Sequence, residues 1–215
     1  MKIEIIKSNL DYVNEKSKIV IVGKTPGPNQ INGPNHHVED LMAIKKRNAF
    51  AGPIRKNLIK MLDYTGINKY INISSCETLW SEDYSDNVDF TSILKNAIFI
   101  NDKALSTIDL KTIYGNPELK KEFEEGFLND CLKYNQVLIW VALGKDVEDV
   151  LIRLKNLGKI KKNNIILGFP HPSGANAGRV SAYLGLLNKN EKSYQWAKEK
   201  ATINREVMLG LNNSK

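Results

Sequence analysis

Residues 18–30 read KIVIVGKTPGPNQ, and this stretch decides how the rest of the chain is interpreted. Its first part, KIVIVG (18–23), is a short apolar, β-branched run that ends in glycine, which is typical of a buried strand. The next letters, Gly23-Lys24-Thr25, are those that close a phosphate-binding P-loop. The stretch therefore indicates either a nucleoside-triphosphate site or another kind of ligand site at the end of a strand.

The P-loop interpretation fails on its spacing. A phosphate-cradling loop needs a first glycine five positions before the second, and position 18 is a lysine. Residues 19–22 are the strand itself, so no loop is present to surround a phosphate. Pro26 and Pro28 also lack the backbone N–H groups that would bind phosphate there. GKTPG is therefore interpreted as a rigid rim at a strand end, the plain alternative being an ordinary strand exit with glycine and proline.

The composition is that of an ordinary globular protein, with 42% hydrophobic and 26% charged residues among 215. We expect a single domain over residues 1–215, as the length allows, and a monomer. We expect a cytoplasmic protein, because no apolar run approaches the ~18 residues of a membrane span and no signal peptide is evident. Two cysteines exclude a disulfide framework and an iron–sulfur site. The net charge of +7 favours a polyanionic partner only gently, since lysine is abundant throughout the chain.

Apolar segments with strand character alternate with helical stripes along the chain. Strands are predicted at 18–23, 70–74, 136–144 and 163–169, and helices at 54–66, 117–134, 147–158 and 193–211. Residues 76–116 are interpreted as a polar excursion with one short apolar element, AIFI. This alternation predicts a three-layer α/β/α sandwich with a mainly parallel central sheet, in which ligands bind beyond the carboxyl ends of the strands.

A second unusual stretch is GFPHPSGANAGR, residues 168–179. Pro170 and Pro172 flank His171 and hold it in a stiff, extended loop after a strand. The SGAN segment that follows (173–176) suits a turn into a helix whose free N–H groups would meet phosphate. A lone histidine is more commonly a surface or core residue, but one held at a strand exit opposite the GKTPG rim favours a functional role.

These two stretches, in this order and at these strand ends, resemble the two motifs of the uracil-DNA glycosylase superfamily. Three further segments resemble the family in the same order: AFAGPIRKNLIKML (49–62), YINISSC (70–76) and VALGKDVEDVLIRL (141–154). The resemblance covers residues 18 to 180, approximately, and the low cysteine count excludes the iron–sulfur branch. It implies a cofactor-free hydrolase of base excision repair that flips a base out of single- or double-stranded DNA and cleaves its N-glycosidic bond.

The resemblance also implies roles around the base. Phe50 would stack on the flipped base, and Asn72 would read its Watson–Crick edge with an amide that both donates and accepts. His171 would donate to O2 of the leaving base, which becomes anionic. Two alternatives stay open, namely that Phe50 is an ordinary core residue and that Asn72 faces solvent.

Further residues are implied as contacts to substrate or DNA. The rim would line the base pocket with Gly23, Pro26 and Gly27, and backbone N–H groups near Gly27 would assist. The implied DNA contacts are Ser173, Gly174, Asn176 and Arg179. Ser173 alternatively caps a helix. Among the candidates for a side chain that fills the vacated stack, only Arg179 is large.

Motif one departs from the family at the residues that handle water. Branches of the family place an acidic residue or asparagine directly after Gly23 or one position later, where this chain has Lys24 and Thr25. Thr25 can position water but is a poor base at neutral pH. Lys24 could attack C1′ as an amine only with a pKa depressed by burial.

The polar loop at residues 29–40 offers other groups. Glu39 and Asp40 are alternative bases. The adjacent His36 and His37 invite a metal-site interpretation, but neighbouring side chains rarely converge on one ion without a partner carboxylate, so we expect no metal.

Three hypotheses follow for the function. The first is a monofunctional DNA glycosylase that acts on uracil or a related damaged base. The second is a catalytically weak or inactive family member that binds nucleic acid or nucleotides. The third is a pocket that acts on a free nucleoside or modified base.

Overall fold

A computed structural model gives the fold over residues 2–8, 11–27, 31, 41–81, 87–105, 107–187 and 190–214. The strands are β1 (Ile3–Ile6), β2 (Ile19–Gly23), β3 (Val88–Ser92), β4 (Ala97–Ile100), β5 (Lys103–Ala104), β6 (Ile139–Leu143) and β7 (Ile165–Phe169). The helices are α1 (Leu41–Asn48), α2 (Pro53–Thr65), α3 (Ile67–Tyr70), α4 (Leu110–Tyr114), α5 (Pro117–Glu122, continuing through Phe123–Leu128 and Asn129–Lys133), α6 (Lys145–Asn156), α7 (Ala177–Tyr183) and α8 (Lys192–Asn213). Short 3₁₀ turns lie at Cys76–Trp80 and Gly174–Asn176.

The central sheet has the strand order β3-β2-β6-β7, and each neighbouring pair in it is parallel. Parallel neighbours need crossover connections, and here helices cover both faces of the sheet. β1, β4 and β5 form a separate, small antiparallel sheet. The predicted three-layer α/β/α sandwich with a mainly parallel central sheet is confirmed.

Two hydrophobic cores lie on opposite sides of the sheet, and β2 contributes to both. Ile19 and Ile21 pack with residues of α2, α7 and α8, whereas Val20 and Val22 pack with residues of α5 and α6. Successive side chains of a strand point to opposite faces, so a strand covered on both sides must be apolar throughout. This explains the uninterrupted IVIV run on which the strand prediction rests.

The parallel order brings four strand ends to one edge of the sheet. Gly23 at the end of β2 pairs in register with Ser92, and Leu143 pairs with Phe169 at the ends of β6 and β7. The following residue, Gly144, donates its backbone N–H to the Phe169 carbonyl over 2.7 Å. The GKTPG rim and the loop after β7 therefore leave the same edge, with the exit of β6 between them.

The predicted strand at residues 70–74 is wrong. Helix α2 ends at Thr65, the following Gly66 has a left-handed φ of +93°, and the chain then turns at once into α3. The Ile71 N–H bonds to the Ile67 carbonyl, the Ile73 N–H bonds to the Asn68 carbonyl, and Asn72 has a φ of +58°. Local hydrogen bonds thus close a turn where the alternating apolar pattern indicated extended chain.

Strand β3, at the edge of the parallel sheet, was missed, because it lies inside the stretch interpreted as a polar excursion. Its sequence, VDFTS, is buried along its whole length despite three polar residues. Asp89 is tolerated there because it accepts a hydrogen bond from Tyr134 Oη at 2.7 Å and pairs with Lys45 Nζ at 2.6 Å. Those partners are distant in sequence, so the local pattern gives no sign of burial.

The other predicted elements are confirmed with shifted ends. Residues 136–144 contain β6, residues 163–169 contain β7, and AIFI is β4. The four predicted helices correspond to α2, α5, α6 and α8. In the described part of the chain, no helix is long and apolar enough to cross a membrane.

Candidate active site

A cavity of about 250 Å³, called the base cavity below, lies beyond the carboxyl end of β2. Its walls are the rim residues 23–27, the segment around Phe50, strand β4 and His171. The volume is below the ~300–1,000 Å³ of sites for drug-sized ligands, so it suits a molecule as small as one base. The structure therefore brings the two sequence motifs and Phe50 to one cavity.

Phe50 belongs both to the core and to the base cavity. Its side chain is 8% exposed and packs edge-on against Phe90, with 6.2 Å between ring centroids. Its φ of +51° is unusual for a bulky residue. The preceding carbonyl, that of Ala49, accepts hydrogen bonds from Trp80 Nε1 at 3.1 Å and Arg55 Nη2 at 2.8 Å, which hold this strained segment in place.

The rim lies against Phe50 because residue 23 is a glycine. A Cβ atom at Gly23 would lie 3.1 Å from Cε1 of the Phe50 ring and 3.3 Å from Oγ of Ser92. Close packing of the ring on the strand end thus favours a residue without a side chain there, because any Cβ would require the ring or Ser92 to shift by a few tenths of an ångström. This is a physical reason for the glycine that the sequence shows at the end of β2.

His171 projects from the loop after β7 in a defined orientation. The backbone N–H of Ser173 donates to His171 Nδ1 at 3.3 Å, so the neutral ring carries its proton on Nε2. Burial, and to a lesser extent the nearby charge of Lys24, lower the pKa of His171 below its usual value. The loop is fastened to α2 by Asn57 Nδ2, which donates to the Pro172 carbonyl at 2.9 Å. The ring is thus prepared as a neutral hydrogen-bond donor.

Lys24 extends from the rim toward helix α6. Its Nζ lies 2.9 Å from Oδ2 of Asp146, and both side chains are partly buried. Lys24 and His171 line the base cavity on one side and a second cavity on the other. These two side chains therefore form the shared wall between the cavities.

The second cavity, of about 370 Å³, is called the basic groove. Its lining includes Lys145 and Asp146 from α6, Arg179 from α7, and Lys192 and Trp196 from α8. Sequence reasoning named only Arg179 of these five. The sequence Gly-Lys-Asp directly after β6 could have indicated Lys145 and Asp146 as site residues. Its glycine follows a strand whose carboxyl end lies at the edge of the sheet where ligands bind.

Thr25 lines the base cavity, but its hydroxyl hydrogen is donated to a backbone carbonyl. Oγ1 donates to the carbonyl of Asn96 at 2.9 Å. Asn96 is itself held by Glu122, whose Oε1 accepts from the Asn96 N–H at 2.9 Å and whose Oε2 accepts from Nδ2 at 3.0 Å. Thr25 therefore ties the rim to the segment before β4.

Asn72 lies outside both cavities. It is exposed, in the turn that replaces the predicted strand, so the structure does not bring it to Phe50 and His171. The strand beside β2 on the side away from β6 is β3, and its last residue, Ser92, is the polar side chain next to Gly23 and Phe50. Sequence reasoning missed Ser92 because it missed the strand.

The SGAN segment and Arg179 form one hydrogen-bonded group at the edge of the basic groove. Oγ of Ser173 accepts from Asn176 Nδ2 at 3.0 Å, and Oδ1 of Asn176 accepts from Arg179 Nη1 at 2.9 Å. The Ser173 side chain makes no capping hydrogen bond to the turn that follows. Gly174 and Arg179 are exposed, so both are open to a ligand from solvent.

The remaining candidates lie outside the described residues, namely Pro28, His36, His37, Glu39 and Asp40. Within the described ranges, no group of three or more histidine, cysteine or acidic side chains is placed to hold a metal ion. The two cysteines are buried, and burial raises the pKa of both thiols.

The fold and these cavities define a class: an α/β/α protein with a base-sized cavity and a basic groove that share one wall at the carboxyl edge of a parallel sheet. A family model, that of the Uracil DNA glycosylase superfamily, matches residues 10–199. The chain therefore belongs to the uracil-DNA glycosylase superfamily, which confirms the resemblance seen in the motifs.

The similar proteins include one curated relative and one solved structure. The chain is 28% identical over 184 residues to the uncharacterized protein YoxB of Bacillus subtilis (strain 168), a match covering 80% of this chain and 71% of YoxB. The crystal structure of wild-type Pedobacter heparinus SMUG2 is similar at 13% identity and a TM-score of 0.46, covering 92% of this chain and 76% of that one.

Proposed function

We propose that this protein is a monofunctional DNA glycosylase, which hydrolyses the N-glycosidic bond of uracil or a related damaged base flipped out of DNA. The observation that carries the proposal is the shared wall, because Lys24 and His171 face a base-sized cavity on one side and the basic groove on the other. A flipped nucleotide has the same layout, with its base in a pocket and its sugar and phosphates along a positively charged surface.

In this proposal the base cavity binds the base by stacking and by donation. The ring of Phe50 stacks on the base, a contact worth ~1–3 kcal/mol. Nε2–H of His171 donates to O2 of the leaving base, where negative charge develops as the bond breaks. A rigid, neutral donor is suited to this role, because it needs no reorganisation during the reaction. Gly23, Pro26 and Gly27 line the same cavity, and N–H groups near Gly27 assist.

The basic groove binds the neighbouring backbone and an adjacent base. Lys145, Lys192 and Arg179 contribute positive charge toward the phosphates, and Ser173, Gly174 and Asn176 lie where the strand bends around the flipped nucleotide. Trp196, which is only partly buried, offers a stacking surface for an unpaired base. DNA is therefore the proposed partner.

The test is release of free base from oligonucleotides that contain uracil, hypoxanthine or another damaged base, in single and double strands. We expect release from at least one of these substrates, and a loss of about 100-fold or more in His171→Ala, in line with the loss of a donor to a developing charge. Ile203→Ala, at an exposed position on α8, serves as the control. No release from any substrate, with the protein folded, contradicts the proposal.

A second candidate function is binding without catalysis. It is favoured by motif one itself, where Lys24 is paired with Asp146 and the Thr25 hydroxyl donates to a backbone carbonyl. Tight binding of these oligonucleotides without formation of an abasic site would support it. Competition by free bases in the absence of DNA affinity would instead favour a nucleoside-processing pocket, and a salt series separates the two.

A further inference from the structure

Motif one lacks the carboxylate that hydrolysis of a glycosidic bond calls for. The positive charge that develops on the sugar needs a nearby negative charge, and the attacking water needs an acceptor for its proton. Among the described residues that line the base cavity and the basic groove, one carboxylate is present, that of Asp146.

Asp146 reaches the shared wall from a different strand than motif one. It lies in the first turn of α6, directly after the end of β6, which runs between β2 and β7. The exit of β6 passes close behind the wall, since a Cβ atom on Gly144 would lie 3.7 Å from Cβ of His171 and 3.9 Å from Cε of Lys24. The side chain of Asp146 is 32% exposed, so water and a ligand can reach it.

The charge of Lys24 makes this carboxylate necessary. An ammonium group beside an oxocarbenium-like sugar would repel it, because both carry positive charge. The carboxylate of Asp146 lies 2.9 Å from Lys24 Nζ and offsets that repulsion. Its other oxygen is left to face the sugar and the water. The N-terminal turn of a helix also favours negative charge at this position.

We propose that Asp146 is the catalytic carboxylate, which holds the hydrolytic water and stabilises the positive charge on the sugar, and that Lys24 is its ion-pair partner, whose charge it also offsets. This inference rests on the proposed function and assigns a residue to it. The C1′–N bond breaks and its electron pair leaves with the base, which accepts a hydrogen bond from His171. The water oxygen forms the new bond to C1′ and one water proton passes to Asp146. That proton returns through solvent to the released base, leaving an abasic site.

A purely structural role for the Lys24–Asp146 pair is the rival explanation, and a charge-selective probe separates the two. Two oligonucleotides are compared, one with a cationic pyrrolidine sugar analogue at the target position and one with a neutral tetrahydrofuran analogue. Because the phosphates are the same in both, the ratio of the two Kd values reports the charge facing C1′.

We expect the unaltered protein to bind the cationic analogue about tenfold or more tightly than the neutral one, as for a mimic of the transition state. Asp146→Asn should bring this ratio close to one, and should slow uracil release by about 100-fold or more with little change in KM. Lys24→Met leaves the carboxylate in place, so its ratio should stay or rise. Asp149→Asn, an exposed acid three residues along the same helix, is the matched control and should keep both the ratio and the activity.

The outcomes keep this inference apart from the proposed function. Three outcomes would each overturn the inference, even if uracil is released. The first is a Kd ratio near one in the unaltered protein, and the second is a preserved ratio in Asp146→Asn. The third is an equal loss of the ratio in Asp146→Asn and Lys24→Met. A protein that prefers the cationic analogue through Asp146 but releases no base would support the placement of the carboxylate and contradict the proposed function. Failure to bind either analogue would overturn both.

Discussion

The backbone N–H of Ser173 donates to Nδ1 of His171 across 3.3 Å, so the loop after β7 fixes the orientation of the ring that it carries. This hydrogen bond exists only while Nδ1 is unprotonated, because a protonated Nδ1 would face another donor. Burial and the charge of Lys24 act in the same direction, since both disfavour the charged imidazolium. Geometry and electrostatics therefore keep the same neutral tautomer.

We predict that His171 titrates below the ordinary histidine pKa of about 6.5, and that Lys24→Met moves this pKa upward. The substitution removes one of the two causes of the lowering, and burial, the larger cause, remains. The measurement is an NMR pH titration of the imidazole C–H signals, with His171→Gln to assign the resonance among the three histidines.

The sign of the linked stability effect follows from the same shift. The unfolded chain binds a proton near pH 6.5, which folded His171 does not bind until a lower pH. The His171 contribution to the free energy of unfolding should therefore fall as pH drops through that window. A titration at or above the ordinary value in the unaltered protein would contradict the prediction.

A second prediction concerns the contact between Gly23 and Phe50. In Gly23→Ala the new methyl group meets the Phe50 ring at 3.1 Å, so the ring must move. The segment that carries Phe50 is fixed through the Ala49 carbonyl, which leaves the ring to adjust at the base cavity. We expect a loss of stability of roughly 1–3 kcal/mol by overpacking.

Gly23→Ala should also weaken substrate binding, apart from its effect on stability. If Phe50 stacks on the base, KM for a uracil oligonucleotide should rise by about tenfold, within the ~1–3 kcal/mol of a stacking contact. Steady-state kinetics and urea unfolding measure the two effects. Gly210→Ala, whose added methyl group meets open space, is the control. An unchanged KM would argue that Phe50 is a core residue only.

The sequence predicted those parts of the fold in which local pattern and burial agree. The IVIV run of β2 and the apolar stripe of α6 are of this kind, because each element buries its apolar residues where its period places them. Strand β3 could not be predicted from the local sequence. Its buried Asp89 is stabilised by Lys45 and Tyr134, which are more than forty residues away along the chain. Its buried polar residues resemble those of an exposed segment.

The residues of the candidate site also fall into those that the local sequence predicts and those that it does not. His171 and the rim were predicted because glycine and proline at strand ends are visible in the sequence. Asn72 was assigned to a strand that does not form, and Asp146 was passed over because an acid in the first turn of a helix is common. Only its 2.9 Å contact with Lys24 makes Asp146 distinctive, and that contact joins two different strand exits.

A third prediction tests the basic groove. Lys145 and Lys192 should each bind a phosphate, so the double variant Lys145→Gln with Lys192→Gln should weaken binding of single-stranded DNA uniformly across sequences. The slope of log K against log salt should become less negative by about 1.4, or ~0.7 for each phosphate that the variant no longer neutralises. Fluorescence anisotropy over a salt series measures it.

The matched control for the groove is a pair of lysines at the opposite edge of the sheet. Lys159 and Lys162 are exposed in the connection before β7, and neither lines the groove. Changing both to glutamine alters the net charge by the same amount and should leave the slope within error. Equal changes in the two double variants would indicate nonspecific attraction to a basic protein instead of a defined groove.

The last prediction concerns the packing of α6 and α8 on β7. An added Cβ on Gly168 would overlap the carboxyl group of Glu148, which is buried and paired with Lys200 on α8. Glu148 cannot move aside without weakening that ion pair, so Gly168→Ala should lower the free energy of unfolding by roughly 2–4 kcal/mol. In a Glu148→Ala background the obstacle is gone, and the same substitution should cost far less. Urea unfolding of the four proteins in this double-mutant cycle measures the coupling, and additive effects would show that the overlap is relieved in another way.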